Sequence, residues 1–314
     1  MLLRRFTDFI LQGRFQAIGC AFVLAFIPII AGISVLIAAL VTLRKGIFEG
    51  ALVALAATLP SWIAVYTVPS GSPVGGDLMV FAGAGLITAC NLFTWVLAGL
   101  LRRYGNWSFI LELSLVIGIL FVGVVHIAYP DVQSWWGTQL NAYLGKTVSA
   151  MSGVTADEAS APVKSEVQAR LVLAVKPYAT GFLAVSVLFN ALLQLGLARW
   201  WQAVVFNPGG LREELRKIRL NYAVGVLFAV GCLLSYFGNE TVLDTMPVFF
   251  SIFAVAGLSL VHSLAALTKT TWLWLVLVYA SVILVFQPAI LILAVMAFLD
   301  IWMDFRKRFR VIER

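Results

Sequence analysis

From residue 15 to residue 299 the chain is a succession of apolar runs of membrane-crossing length, joined by short loops whose basic residues fall in a one-sided pattern. A helix rises ~1.5 Å per residue, so about 20 apolar residues cross a hydrocarbon core ~30 Å thick. The runs cover residues 15–43, 47–66, 78–101, 108–129, 178–197, 220–237, 246–267 and 271–299. All but the first and last have the length of one crossing. Those two are too long and carry breaks, Pro28 with Gly32 in one and Gln287-Pro288 in the other. Proline removes a backbone donor and clashes with the preceding turn, so a hinge or reversal is expected at both.

Charge decides between a single long crossing and a hairpin. If each long run crosses once, the 22 Lys and Arg divide almost evenly between the two sides. If each returns to its starting side, only Lys146, Lys164, Arg170 and Lys176 lie opposite all the others. Basic residues concentrate on the cytoplasmic side of a membrane. The expected fold is therefore an all-α polytopic transmembrane helix bundle with about 8–10 membrane segments and N- and C-terminal helical hairpins. Both termini are expected in the cytoplasm, as for a multi-pass protein of a bacterial inner membrane. Hairpin arms of about 14–17 residues reach only ~21–25 Å, so they are short for a full crossing.

Composition agrees. Hydrophobic residues make up 61% of 314 and charged residues 12%, with a mean hydropathy of +0.97. A soluble domain carries roughly twice that charge. The net charge of +7 fits loops facing anionic lipid, and no nucleic-acid-reading module accompanies it. Cys20, Cys90 and Cys232 all lie in apolar runs, which suits buried small side chains rather than a disulfide framework. The first apolar run is too long for a cleavable signal and lacks a small-residue cleavage site. The whole of 1–314 is read as one integral membrane domain.

Two segments lie outside the runs. Residues 131–176 read as an outer-face amphipathic segment, with Trp136, Leu140, Tyr143, Leu144, Val148 and Met151 at helical spacing, a loop at 152–162 and a second helical stretch from Ser165. Residues 199–219 read as a cytoplasmic interfacial helix after the Asn207-Pro208-Gly209-Gly210 turn, with Glu213 and Lys217 as an i,i+4 pair. Arg199, Trp200, Trp201, Arg212, Arg216 and Lys217 would form its docking face for a cytoplasmic protein, or anchor it as an elbow in lipid. Gly46, Gly50 and Ala54 form a small-residue face for close helix packing, with Glu49 beside Lys45. Asp300 and Asp304 suit pairing with nearby basic residues, Asp304 with Arg308, better than a divalent cation.

Polar residues at membrane depth serve either as hydrogen-bond glue between helices or as the lining of a small-molecule pocket. Ser186, Asn190 and Gln194 form one stripe, Thr88 and Asn91 sit on a second helix, and Ser259 and His262 sit on a third. No nucleophile–base or metal-ligand constellation is recognisable, so no catalysis, metal or organic cofactor is expected.

The Arg199-Trp200-Trp201-Gln202, Asn207-Pro208-Gly209-Gly210 and Leu211-Arg212-Glu213-Glu214 run resembles the YybS-like family of bacterial membrane proteins. So do the Leu43-Arg44-Lys45-Gly46 turn and the terminal segment 299–306. The resemblance covers most of the chain, least of all residues 130–176, and implies no activity and no catalytic residues. The N-terminal part is also similar in style to substrate-binding subunits of energy-coupling-factor transporters and to a rod-shape membrane scaffold. Those likenesses imply either a small-molecule transport subunit or a non-catalytic scaffold for cytoplasmic or envelope proteins.

Overall fold

The computed structural model describes residues 2–27, 29–67, 77–152, 161–268 and 270–312. Pro28, Lys269, Arg314 and most of the loop expected at 152–162 fall outside these residues, as do the side chains of Val148, Met151, Lys164 and Arg310. The described residues are helices and turns, without strands. In order they are α1 (Leu2–Gln12), α2 (Arg14–Ala25), α3 (Ala31–Lys45), α4 (Ile47–Thr67), α5 (Asp77–Tyr104), α6 (Trp107–Ala128), α7 (Val132–Ser152) and α8 (Ala161–Val175). After a 3-10 turn (Lys176–Tyr178) come α9 (Ala179–Phe206), α10 (Gly210–Leu215), α11 (Tyr222–Tyr236), α12 (Glu240–Ala265), α13 (Thr271–Leu284), α14 (Phe286–Met303) and α15 (Phe305–Ile312).

Among the described residues six helices are long and apolar enough to cross a membrane, and α2, α11 and α13 are shorter apolar helices. The chain is thus a polytopic all-α membrane bundle. Both long runs break, the first between α2 and α3 and the second between α13 and α14. Pro288 cannot donate to the carbonyl of Leu284 and its ring crowds that carbonyl; α13 ends at Leu284. Proline alone does not decide, because α4 and α12 continue through Pro60 and Pro247.

Polar contacts sort the helix ends into two groups. At one end Arg14 pairs with Glu49 at 2.6 Å, Arg102 Nη1 donates to Thr42 O at 3.1 Å and Trp107 Nε1 donates to Glu214 Oε2 at 3.1 Å. Arg219 also pairs there with Asp304 at 2.9 Å. At the other end Trp62 Nε1 donates to Thr88 Oγ1 at 2.9 Å and Trp136 Nε1 to Thr180 Oγ1 at 3.0 Å. Lys146, Arg170 and Lys176 belong to the helices of this far side, while the other described Arg and Lys gather at the first, basic end. The hairpin topology therefore carries the charge segregation that motivated it.

Three asparagines start helices. Asn106 accepts from the amides of Ser108 and Phe109, Asn221 from Val224 and Asn239 from Val242, satisfying donors that a helix start leaves bare. The small-residue face works within the chain: a Cβ on Gly50 would lie 3.0 Å from the Thr42 Cα, and Ala54 is buried. Glu49, however, pairs with Arg14 rather than Lys45. Phe228 of α11 joins this helix to α12 and α14, stacking on Phe253 at 4.4 Å and meeting Phe298 at 5.6 Å.

The amphipathic segment 131–176 is a pair of packed helices, with Gln168 Nε2 donating to Asn141 O at 3.1 Å. Val132 is buried and Trp136, Leu140 and Leu144 are partly buried, but Tyr143 is exposed, because it falls off that stripe. Residues 199–219 are not one interfacial helix. They are the last turns of α9, the six-residue α10 and a turn, since Asn207-Pro208-Gly209 breaks the helix and Gly209 takes φ +89°.

Candidate functional site

The N-terminal hairpin positions the site. Its arms have 12 and 15 residues, so they rise about 18 and 22 Å and stop short of a ~30 Å core. Their neighbours α4 and α5 have 21 and 28 residues and continue past the apex. A cavity of about 800 Å³ is left over the apex, walled by α3, α4, α5 and α9.

Three of the polar residues singled out in the sequence, Asn91, Asn190 and Gln194, line this cavity together. Gln194 Nε2 donates to Asn190 Oδ1 at 2.6 Å, and Thr94 Oγ1 approaches Gln194 Oε1 at 3.4 Å. Asn91 differs. It is only 3% exposed, and its side-chain amide has no hydrogen-bond partner among the described residues. Its amide borders the open space of the cavity, and an occupant that covered it without a hydrogen bond would cost about 1–3 kcal/mol. Ser34 and Ser61 also line the cavity, but each donates to a carbonyl of its own helix. Among the described residues the lining carries no charged side chain.

The other four polar residues do not join them. The Thr88 hydroxyl is held by Trp62 beside the cavity, donating in turn to Ala84 O. Ser186 is exposed and bonds back to Leu183 O. Ser259 and His262 line a separate cavity at the basic end. The expected convergence of all seven on one pocket is thus corrected: helix direction puts residues 259 and 262 near the opposite end of the bundle from residues 88–91.

The docking face is also reduced. Arg199 is paired with Glu214, and Trp201 is 5% exposed, donating to Thr7 Oγ1 at 2.7 Å and stacking on Phe6. Both are internal fasteners holding α1 and α10 to α9. Trp200, Arg212 and Lys217 are exposed and Arg216 is partly buried. Burial alone would raise the Glu214 carboxyl. The hydrogen bonds from Arg199 and Trp107 and the charges of Arg199 and Lys217 outweigh it and hold the group below its ordinary value near 4.5. Glu213 does not take the expected place beside Lys217, because the helix ends at Leu215. Asp304 pairs with Arg219 and Lys307 rather than Arg308.

Sequence reasoning missed two carboxylates. Asp244, 1% exposed, accepts from the Gly181 amide at 2.7 Å and meets His126 Nε2 at 2.9 Å, tying α6, α9 and α12 together at the far end. Glu112 lies inside an apolar run and accepts from the backbone and side-chain nitrogens of Asn221, both at 2.8 Å. A carboxylate within four residues of an apolar stretch was the available signal for both.

The fold and its cavities define an integral membrane protein with a polar-lined recess at one end of the bundle. Comparison with family models, with curated proteins and with solved structures gives no match.

Proposed function

We propose that the protein is a transport-type membrane subunit that binds a small uncharged molecule in the cavity over the N-terminal hairpin. The observation that carries this reading is Asn91, a residue only 3% exposed whose amide has no partner among the described residues and borders the cavity beside the Asn190–Gln194 pair. Binding sites combine mainly apolar walls with a few converging polar groups, and this cavity has that make-up. The lining carries no charge to neutralise, so the ligand is an uncharged, partly apolar molecule with a donor or acceptor for an amide. No catalytic step belongs to the reading, and the ligand needs no cofactor.

The placement we propose is a bacterial inner membrane with the basic end and both termini in the cytoplasm, since basic residues are retained on that side. The cavity then faces the outer half of the bilayer. A single cysteine replacing Lys45 should react only with reagents admitted to the cytoplasm, and one replacing Lys176 only with reagents outside. The reverse pattern overturns the orientation. Native mass spectrometry of the protein in mild detergent tests the ligand. Asn91→Leu and Asn190→Leu should each lose a retained small molecule while keeping the fold. Unchanged retention in both removes the cavity as the site.

The second reading is a non-catalytic scaffold docking a cytoplasmic protein through Trp200, Arg212 and Lys217, which the fold leaves exposed. It predicts a stoichiometric protein partner and an empty cavity in the same experiment.

A further inference from the structure

The second cavity, about 550 Å³, lies at the basic end. α12 forms its back, α9 and α13 its sides and α10 its floor. Its walls are apolar, with Val204, Val255 and Leu258 among them. The polar groups that face it are already engaged. Ser259 Oγ donates to Leu215 O, and the His262 ring meets Leu258 O at 2.8 Å and the Tyr279 hydroxyl at 3.3 Å. Trp200, Val204 and Tyr279, which border it on α9 and α13, are 52, 45 and 45% exposed, so the cavity opens sideways between those helices.

Two arginines on its floor lack the carboxylate partner that several neighbouring cations of this end have. Arg199, Arg219, Arg306 and Lys307 each reach a carboxylate, of Glu214, Asp304, Asp300 and Asp304. Arg212 and Arg216, both lining the cavity, reach none among the described residues. The Arg216 Nε is moreover buried and without a hydrogen-bond partner. A buried charged donor without an acceptor is costlier than a neutral one. The two lie four residues apart, one helical turn, so one anion can meet both.

From this geometry we propose that the cavity binds an anionic membrane lipid, one acyl chain in the apolar recess and its phosphate on Arg212 and Arg216. The recess opens to where acyl chains are the solvent, and the cations sit at the end of the bundle, where headgroups lie. A purely aqueous anion would leave the apolar recess unused. A zwitterionic lipid would bring its own cation next to the arginines. The site is independent of the cavity over the N-terminal hairpin and shares no lining residue with it.

The test uses the full chain in nanodiscs of phosphatidylcholine alone or mixed with phosphatidylglycerol, then native mass spectrometry of retained lipid. One phosphatidylglycerol should stay bound per chain, and phosphatidylcholine should not. Arg212→Gln with Arg216→Gln should weaken retention roughly 30-fold. Arg216→Lys should restore part of what Arg216→Gln loses. Val204→Trp, which fills the recess and leaves the charges alone, should weaken retention as well. Thermal unfolding of each variant separates loss of the site from loss of the fold. Equal retention of both lipids, or unchanged retention in the double variant, overturns the proposal. So does displacement of the lipid by millimolar inorganic phosphate with no effect of Val204→Trp, because the site would then be a surface anion contact.

Discussion

Replacing Gly257 by alanine tests a close approach between two helix backbones, α12 and α14. A Cβ at this position would lie 2.0 Å from the Leu293 carbonyl oxygen and 2.7 Å from its carbon. A carbon and a carbonyl oxygen rest comfortably at about 3.3 Å. The α14 backbone would have to retreat by about 1.3 Å, and the atom it meets is backbone, which cannot rotate aside. Overpacking costs about 1–3 kcal/mol, and a rigid obstacle puts this case near the top of that range. Better helix propensity returns up to ~1 kcal/mol, leaving a net loss of about 2 kcal/mol. At ~2–4 °C per kcal/mol, the midpoint in detergent at a fixed scan rate should fall by about 4–8 °C. Gly196→Ala in α9 is the internal comparison, because a Cβ there meets nothing within 4 Å. It should keep or raise the midpoint. If Gly257→Ala equals Gly196→Ala, α12 and α14 do not touch through the Leu293 carbonyl and the close-approach argument is refuted.

Asp244→Ala strands the Gly181 amide and His126 at once and should cost about 3–5 kcal/mol, while Asp244→Asn keeps one acceptor and should cost less; a double-mutant cycle with His126→Ala that shows no coupling would contradict the pairing. Glu214 carries a pH dependence whose sign follows from its depressed titration. Its bridge to Arg199 stabilises fully above the ordinary value near 4.5 and is lost as pH falls through the lower folded value. Glu214→Gln should flatten the stability profile between the ordinary value and the lower folded one, and a profile identical to the parent's there would show that the bridge contributes nothing.

The membrane helices were legible because each needs a long apolar run, and the hairpins because charge must segregate. The tertiary partners were not legible. His126 and Asp244 are 118 residues apart in the chain, and Asp244 reads as the end of a loop until α12 is seen to begin at Glu240. α1 was overlooked although Leu3, Phe6 and Ile10 repeat at helical spacing, because its burial depends on Trp201 from the far half of the chain. Asn190 and Gln194 were recognisable as a stripe. That Asn91 faces them and Ser186 does not depends on helix rotation, which composition leaves open. Trp201 was read as part of a docking face or a lipid elbow, yet it is buried, since an indole N–H serves equally well to fasten one helix to another.

Both cavities arise where a helical element stops early, the first over a hairpin of 12 and 15 residues and the second beside a helix of six. In a bilayer neither space stays empty, because acyl chains can enter any recess open to them. Their chemistry makes the outcomes differ. An acyl chain over the hairpin would leave the Asn91 amide unpaired at about 1–3 kcal/mol, so a hydrogen-bonding occupant competes well there. At the basic end Ser259 and His262 are already bonded, so an acyl chain strands no polar group. What remains unsatisfied there is charge at Arg212 and Arg216, which a lipid phosphate supplies from the same molecule. The unpaired groups, more than the size of either cavity, therefore separate a site for a small polar molecule from a site for lipid.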